Sequence, residues 1–292
     1  VVSEIFNDSL AKINDLKSGD IIVKIYDKNI VTELKNTLKY VSGSNLNFKI
    51  NRTYSTIFRD TLNSMHLTII RDGKIRNIST KLYNINDFGY LKNKRSLKSK
   101  SITESIGYVN MATRYKPKEF EKIFETFNTK KSIIIDLRGY PELRYKMFTR
   151  YFNNKAKIFA LKYIPDISYP GRYIFDKSIK TGSSRKAFKG KFILLVNDNS
   201  LSLSEFTAMA FQTADNIITV GNQTAGADGI STAIKYLGGY TTRFSGYGIM
   251  YPDGTESQRI GVKIDVEIKP TIIGLKQGRD EILEKAIEIA NQ

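Results

Sequence analysis

Four short apolar runs constrain the fold of this chain more than any other feature. They lie at 106–110, 132–136, 191–196 and 217–220. Runs of four to six residues, rich in branched apolar types and ending at turn residues, are typical of strands buried on both faces. Because residues 116–127 between them carry apolar side chains at helical spacing, strands alternate with helices. This alternation predicts a layered α/β domain over residues 106–292.

Composition narrows the classes of protein that this chain can belong to. Of its 292 residues, 41% are hydrophobic, enough for a sizeable core. It has no cysteine and one histidine, which excludes a disulfide framework, a thiolate metal site and a histidine-rich metal site. No run of 18 apolar residues occurs, so we predict no membrane span in this chain.

The net charge of +17 invites a nucleic-acid hypothesis, but its distribution argues against one. The basic residues are spread along the chain, and the one dense run, 92–100, is typical of a linker. We therefore favour a solvated basic surface and expect no nucleic-acid partner. The alternative predicts retention on duplex DNA with a steep salt dependence.

Residues 1–83 are predicted to form a smaller α+β unit, followed by a linker over 84–105 and the core domain over 106–292. The smaller unit combines a turn at Gly19-Asp20 with a hairpin around Asp72-Gly73. This order resembles a PDZ domain whose opening strand and carboxylate-binding loop would precede Val1, so we expect it to be truncated at its start. Whether the unit binds peptides or only packs stays open. His66, the one histidine, alternates with Thr68 and is predicted to face solvent.

Ser202 lies where the apolar run at 191–196 passes into a helix. The first amides of a helix lack partners, and the helix dipole makes this end positive. A hydroxyl here can attack a carbonyl, and the Leu203 N–H can receive the oxyanion. The alternative is that Ser202 and Glu205 form only a Ser-x-x-Glu capping box.

Seven motifs in a fixed order resemble the carboxy-terminal processing (tail-specific) and tricorn-core family of serine peptidases, closest to its tricorn-like branch in Bacteroidetes. They are Ile106-Gly107-Tyr108-Val109, Ile135 to Gly139, Lys189-Gly190-Lys191, Ser202-x-Ser204-Glu205, Val220-Gly221-x-x-Thr224-Ala225-Gly226, Pro252-Asp253-Gly254 and Gly261-Val262-x-x-Asp265-Val266. The resemblance implies a crotonase-like ββα core, peptide or unfolded-protein substrates, no metal or cofactor, and an extracytoplasmic location (periplasm or cell envelope).

By the same resemblance, Ser202 is the nucleophile and Glu256 is the glutamate of a Ser-His-Glu arrangement, its histidine lying outside this sequence. The backbone amides of Leu203 and Glu142 would form the oxyanion hole. Ala227 stands where the tail-specific branch has its catalytic lysine, and Lys235 is a poor substitute. Glu142-Leu143 also replaces a pair of glycines.

These departures leave two functional hypotheses. The first is a serine endopeptidase that works through an acyl-enzyme, with this chain alone weakly active or inactive because it lacks an evident base. The second is an inactive peptide- or protein-binding module of the same fold.

Overall fold

The computed structural model describes residues 1–84, 98–142, 145–185 and 187–292. It separates into two compact units: a first unit of residues 1–97 and 269–284, and a second unit of 98–268 and 285–292. The predicted core domain included 269–284, whereas the structure groups this segment with the first unit. Contacts within that unit explain the difference, since Lys276 Nζ donates to Asp72 Oδ1 at 2.9 Å.

The helices of the described residues are short. They are α1 (Asp8–Ile13), α2 (Ile30–Leu38), α3 (Leu46–Ile57), α4 (Pro117–Phe127), α5 (Tyr145–Thr149), α6 (Leu203–Phe211), α7 (Ile272–Lys276) and α8 (Glu281–Ala290). Within the part of the chain that the structure covers, no helix has the length and apolar character needed to cross a bilayer.

The strands form four sheets. The first unit has β1 (Ile21–Ile25), β2 (Lys28–Asn29), β3 (Ser64–Arg71) and β4 (Lys74–Lys81). The second has β5 (Lys100–Ser101), β6 (Ile106–Asn110), β7 (Ser132–Asp136), β8 (Ile158–Pro165), β9 (Tyr173–Lys180), β10 (Lys191–Val196), β11 (Ile217–Gly221), β12 (Ser231–Lys235), β13 (Thr241–Ser245), β14 (Gly248–Met250) and β15 (Val266–Glu267).

The first unit is an antiparallel sheet in the order β2-β1-β3-β4. Met65, Leu67 and Ile69 of β3 are buried, whereas His66 between them is exposed, which confirms the predicted solvent-facing position. The predicted turn at Asp72-Gly73 has positive φ at both residues, 52° and 74°, as a two-residue hairpin turn requires. The PDZ resemblance stays a prediction.

The second unit is built on a six-stranded sheet in the order β15-β11-β10-β7-β6-β5. Its strands are parallel except β5, which pairs antiparallel with β6. This confirms the predicted α/β core. Within the predicted linker, Lys100–Ser101 form the edge strand β5, and residues 85–97 lie outside the described residues.

Aromatic side chains fill the core of the second unit on one side of this sheet. Helix α4 buries Phe120, Phe124 and Phe127 on one face, as the spacing predicts. Phe120 packs edge-on against Phe148 of α5, with ring centroids 4.0 Å apart. Full burial of one such side chain stabilises the fold by about 1.5–3 kcal/mol, so this cluster is a substantial part of the stability of the second unit.

Candidate active site

Ser202 sits between β10 and α6, beyond the carboxyl end of a central strand. Its backbone has φ 52° and ψ −108°, a conformation that non-glycine residues rarely adopt. Holding such a residue costs roughly 1–3 kcal/mol, so the surrounding contacts must fix it. A nucleophilic serine on a strained strand-to-helix turn is also how α/β-hydrolases expose their hydroxyl.

Two buried serines tie the Ser202 segment to the loop after β7, the strand on one side of β10. Ser200 Oγ donates to the Leu137 carbonyl at 2.9 Å, and Ser204 Oγ donates to the Gly139 carbonyl at 3.1 Å. Both serines are fully buried. Removing the Ser200 hydroxyl takes a donor from the buried Leu137 carbonyl, and both bonds hold the turn around Ser202 in place.

Glu205 ties the same segment to the loop after β11, the strand on the other side. Its Oε2 accepts from the N–H groups of Ser202 and Ala227, both at 3.0 Å. Its Oε1 accepts from Thr224 Oγ1 and the Gly226 N–H, both at 2.6 Å. Burial raises the pKa of Glu205, and these donors oppose that shift because they favour the ionised form.

This shared carboxylate fixes the distance between Ala227 and the candidate nucleophile. The amide nitrogens of Ser202 and Ala227 are each 3.0 Å from one oxygen, so they are at most about 6 Å apart. Ala227, which the sequence resemblance matches to the tail-specific lysine, therefore adjoins Ser202. A methyl group there supplies no base.

The loop after β11 packs closely against the backbone of Arg259. Gly226 has φ 62°, and a Cβ on it would lie 2.7 Å from the backbone of Arg259. The Arg259 N–H donates to the Gly226 carbonyl at 2.6 Å, and Thr224 Oγ1 accepts from the Val262 N–H at 3.0 Å. Only glycine satisfies both the conformation and the contact.

Asp228, in the loop after β11, is a second buried carboxyl of this site and is only 3% exposed. Its Oδ1 accepts from the Gly229 N–H at 2.8 Å, and its Oδ2 has no partner among the described residues. Loss of solvation, with a smaller contribution from the charge of Glu205, raises the pKa of Asp228 to about 8. The folded protein therefore holds Asp228 mainly as a neutral acid at pH 7.

The two predicted oxyanion donors differ in the structure. The Leu203 N–H, at the first position of α6, donates to no acceptor among the described residues. The Glu142 N–H donates to the Met111 carbonyl at 3.1 Å. Glu142 could serve an oxyanion only after that bond opens. Leu143 lies outside the described residues.

Glu256 lies on the strand-like return that follows a tight turn at 251–255. Its side chain is exposed and, among the described residues, makes no hydrogen bond or ion pair. Its charge contributes, after desolvation, to the raised pKa of Tyr163. The structure does not join Glu256 to Ser202 by a hydrogen bond.

Two residues of this site are not indicated by the sequence patterns. The Ser-x-x-Glu pattern indicates Glu205 only as a capping partner, because it reports local contacts and not the loop after β11. Asp228 carried a weak signal, a carboxylate within the stretch Gly226-Ala227-Asp228-Gly229.

Comparisons with known proteins agree with this architecture. Mature CPAF complexed with lactacystin is 14% identical with TM-score 0.74, the alignment covering 96% of this chain and 78% of that one. A protein of Parabacteroides merdae described as a peptidase is 15% identical with TM-score 0.59, covering 90% and 89%. The photosystem II D1 C-terminal processing protease is 16% identical with TM-score 0.51, covering 93% and 70%.

At these identities the solved structures establish the fold alone. No curated protein sequence matches this chain. The model of peptidase family S41 matches residues 105–268, which is more than half of the chain and contains the Ser202 segment and both loops tied to it. This chain therefore belongs to peptidase family S41.

Proposed function

We propose that this chain carries the nucleophile of a serine endopeptidase that cleaves peptides or unfolded proteins through an acyl-enzyme. The observation that supports this most is the backbone of Ser202, held at φ 52° at the start of α6. Ser200 and Ser204 fix it from one neighbouring strand, and Glu205 fixes it from the other. A helix cap does not require these hydrogen bonds to two neighbouring loops, whereas a nucleophile needs a fixed direction of attack.

In the proposed reaction, Ser202 Oγ attacks the peptide carbonyl while its proton passes to a base. The Leu203 N–H, with an amide of the 138–142 loop, receives the oxyanion, and the amine leaves from the acyl-enzyme. Water then attacks the ester and frees Ser202. Glu256 is proposed to orient or assist the base, which requires movement or a bridging group because it does not contact Ser202 here.

The base itself is proposed to lie outside these 292 residues, as the histidine of the tricorn-like branch would. Ala227 offers no amine, and His66 is exposed on β3 of the first unit. A serine hydroxyl without a base loses several orders of magnitude in rate. We therefore expect little turnover by this chain on its own. The proposed location, periplasm or cell envelope, follows from the family resemblance.

The test is mass spectrometry of the full-length protein after reaction with a serine-directed fluorophosphonate. We expect the label on Ser202 and its loss in Ser202→Ala. Ser55→Ala, which changes an exposed serine of α3, is the matched control and should label normally. A label on another serine, or equal labelling of Ser202→Ala, would contradict the assignment.

A second candidate function is an inactive peptide-binding module. Ala227 at the lysine position and the occupied Glu142 amide favour it. It predicts that full-length protein binds unfolded peptides but leaves the fluorophosphonate unreacted.

A further inference from the structure

The hairpin of residues 230–246 stands out from the rest of the second unit. Its strands β12 and β13 pair with each other and, among the described residues, with no third strand. All ten strand residues are exposed. A two-stranded sheet alone is marginally stable in water. A partner that packs on this hairpin would bury its exposed side chains and so stabilise it.

The two faces of the hairpin differ in chemistry. The register pairs Ile234 with Thr242 and Thr232 with Phe244, so period-two alternation places these four on one face with Tyr236 and Tyr240. We call Ile234, Tyr236, Tyr240 and Phe244 the apolar hairpin face. Their exposed fractions are 41%, 56%, 76% and 50%. Several large apolar side chains exposed side by side mark an interaction surface.

The charges of the hairpin indicate what kind of chain fits it. Its opposite face carries Lys235 and Arg243, and no carboxylate occurs between Asp228 and Asp253. A second copy of this chain would bring its own charge of +17 to a basic element. The complementary partner is therefore a neutral or acidic chain.

The backbone of the hairpin favours an extended partner. Each strand has one unpaired edge, and an extended peptide can add to such an edge through main-chain hydrogen bonds. Binding through main-chain hydrogen bonds depends little on the side chains of the peptide, so it can accept unfolded chains of different sequence.

The position of the hairpin links it to the candidate active site. It begins just after Ala227, whose N–H binds Glu205, and it returns into β14, which precedes Glu256. Its base is tight, because a Cβ on Gly229 would lie 2.5 Å from the Tyr247 carbonyl oxygen. A chain held on the hairpin is thus held by an element that begins three residues after Ala227, which adjoins Ser202.

We propose that the apolar hairpin face docks the substrate chain, an extended, unfolded polypeptide segment with apolar side chains and no net positive charge. This inference rests on the proposed function, because it takes the occupant to be what Ser202 cleaves.

The experiment measures binding apart from catalysis, in full-length protein carrying Ser202→Ala. Dye-labelled unfolded peptides of one apolar sequence, flanked by glutamates, by serines or by lysines, are titrated by fluorescence anisotropy. Adding Ile234→Thr and Phe244→Thr should raise Kd for the serine- and glutamate-flanked peptides at least about tenfold, since two apolar contacts are lost and threonine retains strand propensity. Ile75→Thr, the same change at a 72% exposed strand position of the first unit, is the control and should leave Kd unchanged.

A second pair of substitutions tests the charge argument without touching the apolar face. Lys235→Gln with Arg243→Gln should weaken binding of the glutamate-flanked peptide and narrow its advantage over the lysine-flanked one. An unchanged Kd in the Ile234→Thr and Phe244→Thr protein would overturn the proposal. The proposal would also be overturned if the parent protein self-associated in sedimentation while the Ile234→Thr and Phe244→Thr protein stayed monomeric, because the occupant of the face would then be a second copy of this chain.

Fluorophosphonate labelling of the same variants with Ser202 intact separates the two proposals. Normal labelling of Ser202 together with weakened peptide binding supports both. If Ser202 resists the reagent while the hairpin variants still lose peptide binding, the proposed chemistry fails and the docking surface stands.

Discussion

Replacing Asp228 by asparagine is expected to stabilise the protein, and increasingly so as the pH rises. The pKa of Asp228 in the folded protein is raised to about 8, against 3.8 for an unperturbed aspartate. Between these values the unfolded chain releases the proton that the folded chain keeps. Stability from this group is therefore fully present below pH 4 and is lost as the pH rises towards 8.

The size of the effect follows from the two pKa values. Each pH unit between them costs about 1.4 kcal/mol of unfolding free energy, which gives about 2 kcal/mol at pH 5 and about 4 kcal/mol at pH 7. Asparagine does not titrate and keeps an oxygen for the Gly229 N–H. Its amide replaces an Oδ2 that already lacks a partner among the described residues, so the exchange adds little penalty of its own.

The assay is urea unfolding followed by circular dichroism at pH 5, 6, 7 and 8, because the chain has no tryptophan. The stability advantage of Asp228→Asn over the parent should grow across this series. Asp253→Asn is the control: hydrogen bonds from Thr255 lower the pKa of Asp253 to about 2, so its effect should not change with pH in this range. An advantage that stays flat from pH 5 to 8 would show that Asp228 is ionised in the folded protein, against our argument from burial.

Two further substitutions test how the loops hold Ser202. In Glu205→Gln, the side-chain NH₂ replaces one carboxylate oxygen and faces N–H or O–H donors, so those hydrogen bonds are lost. We expect unfolding free energy to fall by about 1.5–3 kcal/mol or more, and fluorophosphonate labelling of Ser202 to slow at least about tenfold. Normal labelling would show that Glu205 only caps the helix. Gly226→Ala should lower Tm further than Gly254→Ala, since both have positive φ but only Gly226 meets the Arg259 backbone; equal shifts would remove the close approach as a cause.

The sequence predicted the parts of the second unit that depend on local patterns. Strands β6, β7, β10 and β11 each occupy one of the four apolar runs, because burial on both faces leaves a continuous apolar signal. The helix after Ser202 was predicted by its apolar spacing together with the Ser-x-x-Glu start.

What the sequence did not predict depends on pairing between distant segments. The edge strand β5 is only two residues long and lies within a polar stretch. Two residues are too few to show the alternation of apolar and polar side chains that indicates a strand. The hairpin 230–246 has an alternating pattern, but only the structure shows that its apolar face is left uncovered. The occupied Glu142 amide likewise depends on Met111, 31 positions earlier in the chain, which no local pattern could indicate.

Glu205 does more in the structure than cap the helix that follows Ser202. A capping glutamate needs only the Ser202 N–H, yet this carboxylate also accepts from three groups in the loop after β11. Burying it costs solvation, which raises its pKa, and a local cap on an exposed helix end would avoid that cost. The extra bonds are explained if the distance between Ser202 and the 224–227 loop must be fixed. Such fixing would serve the proposed role of Ser202, because a nucleophile needs a fixed direction of attack.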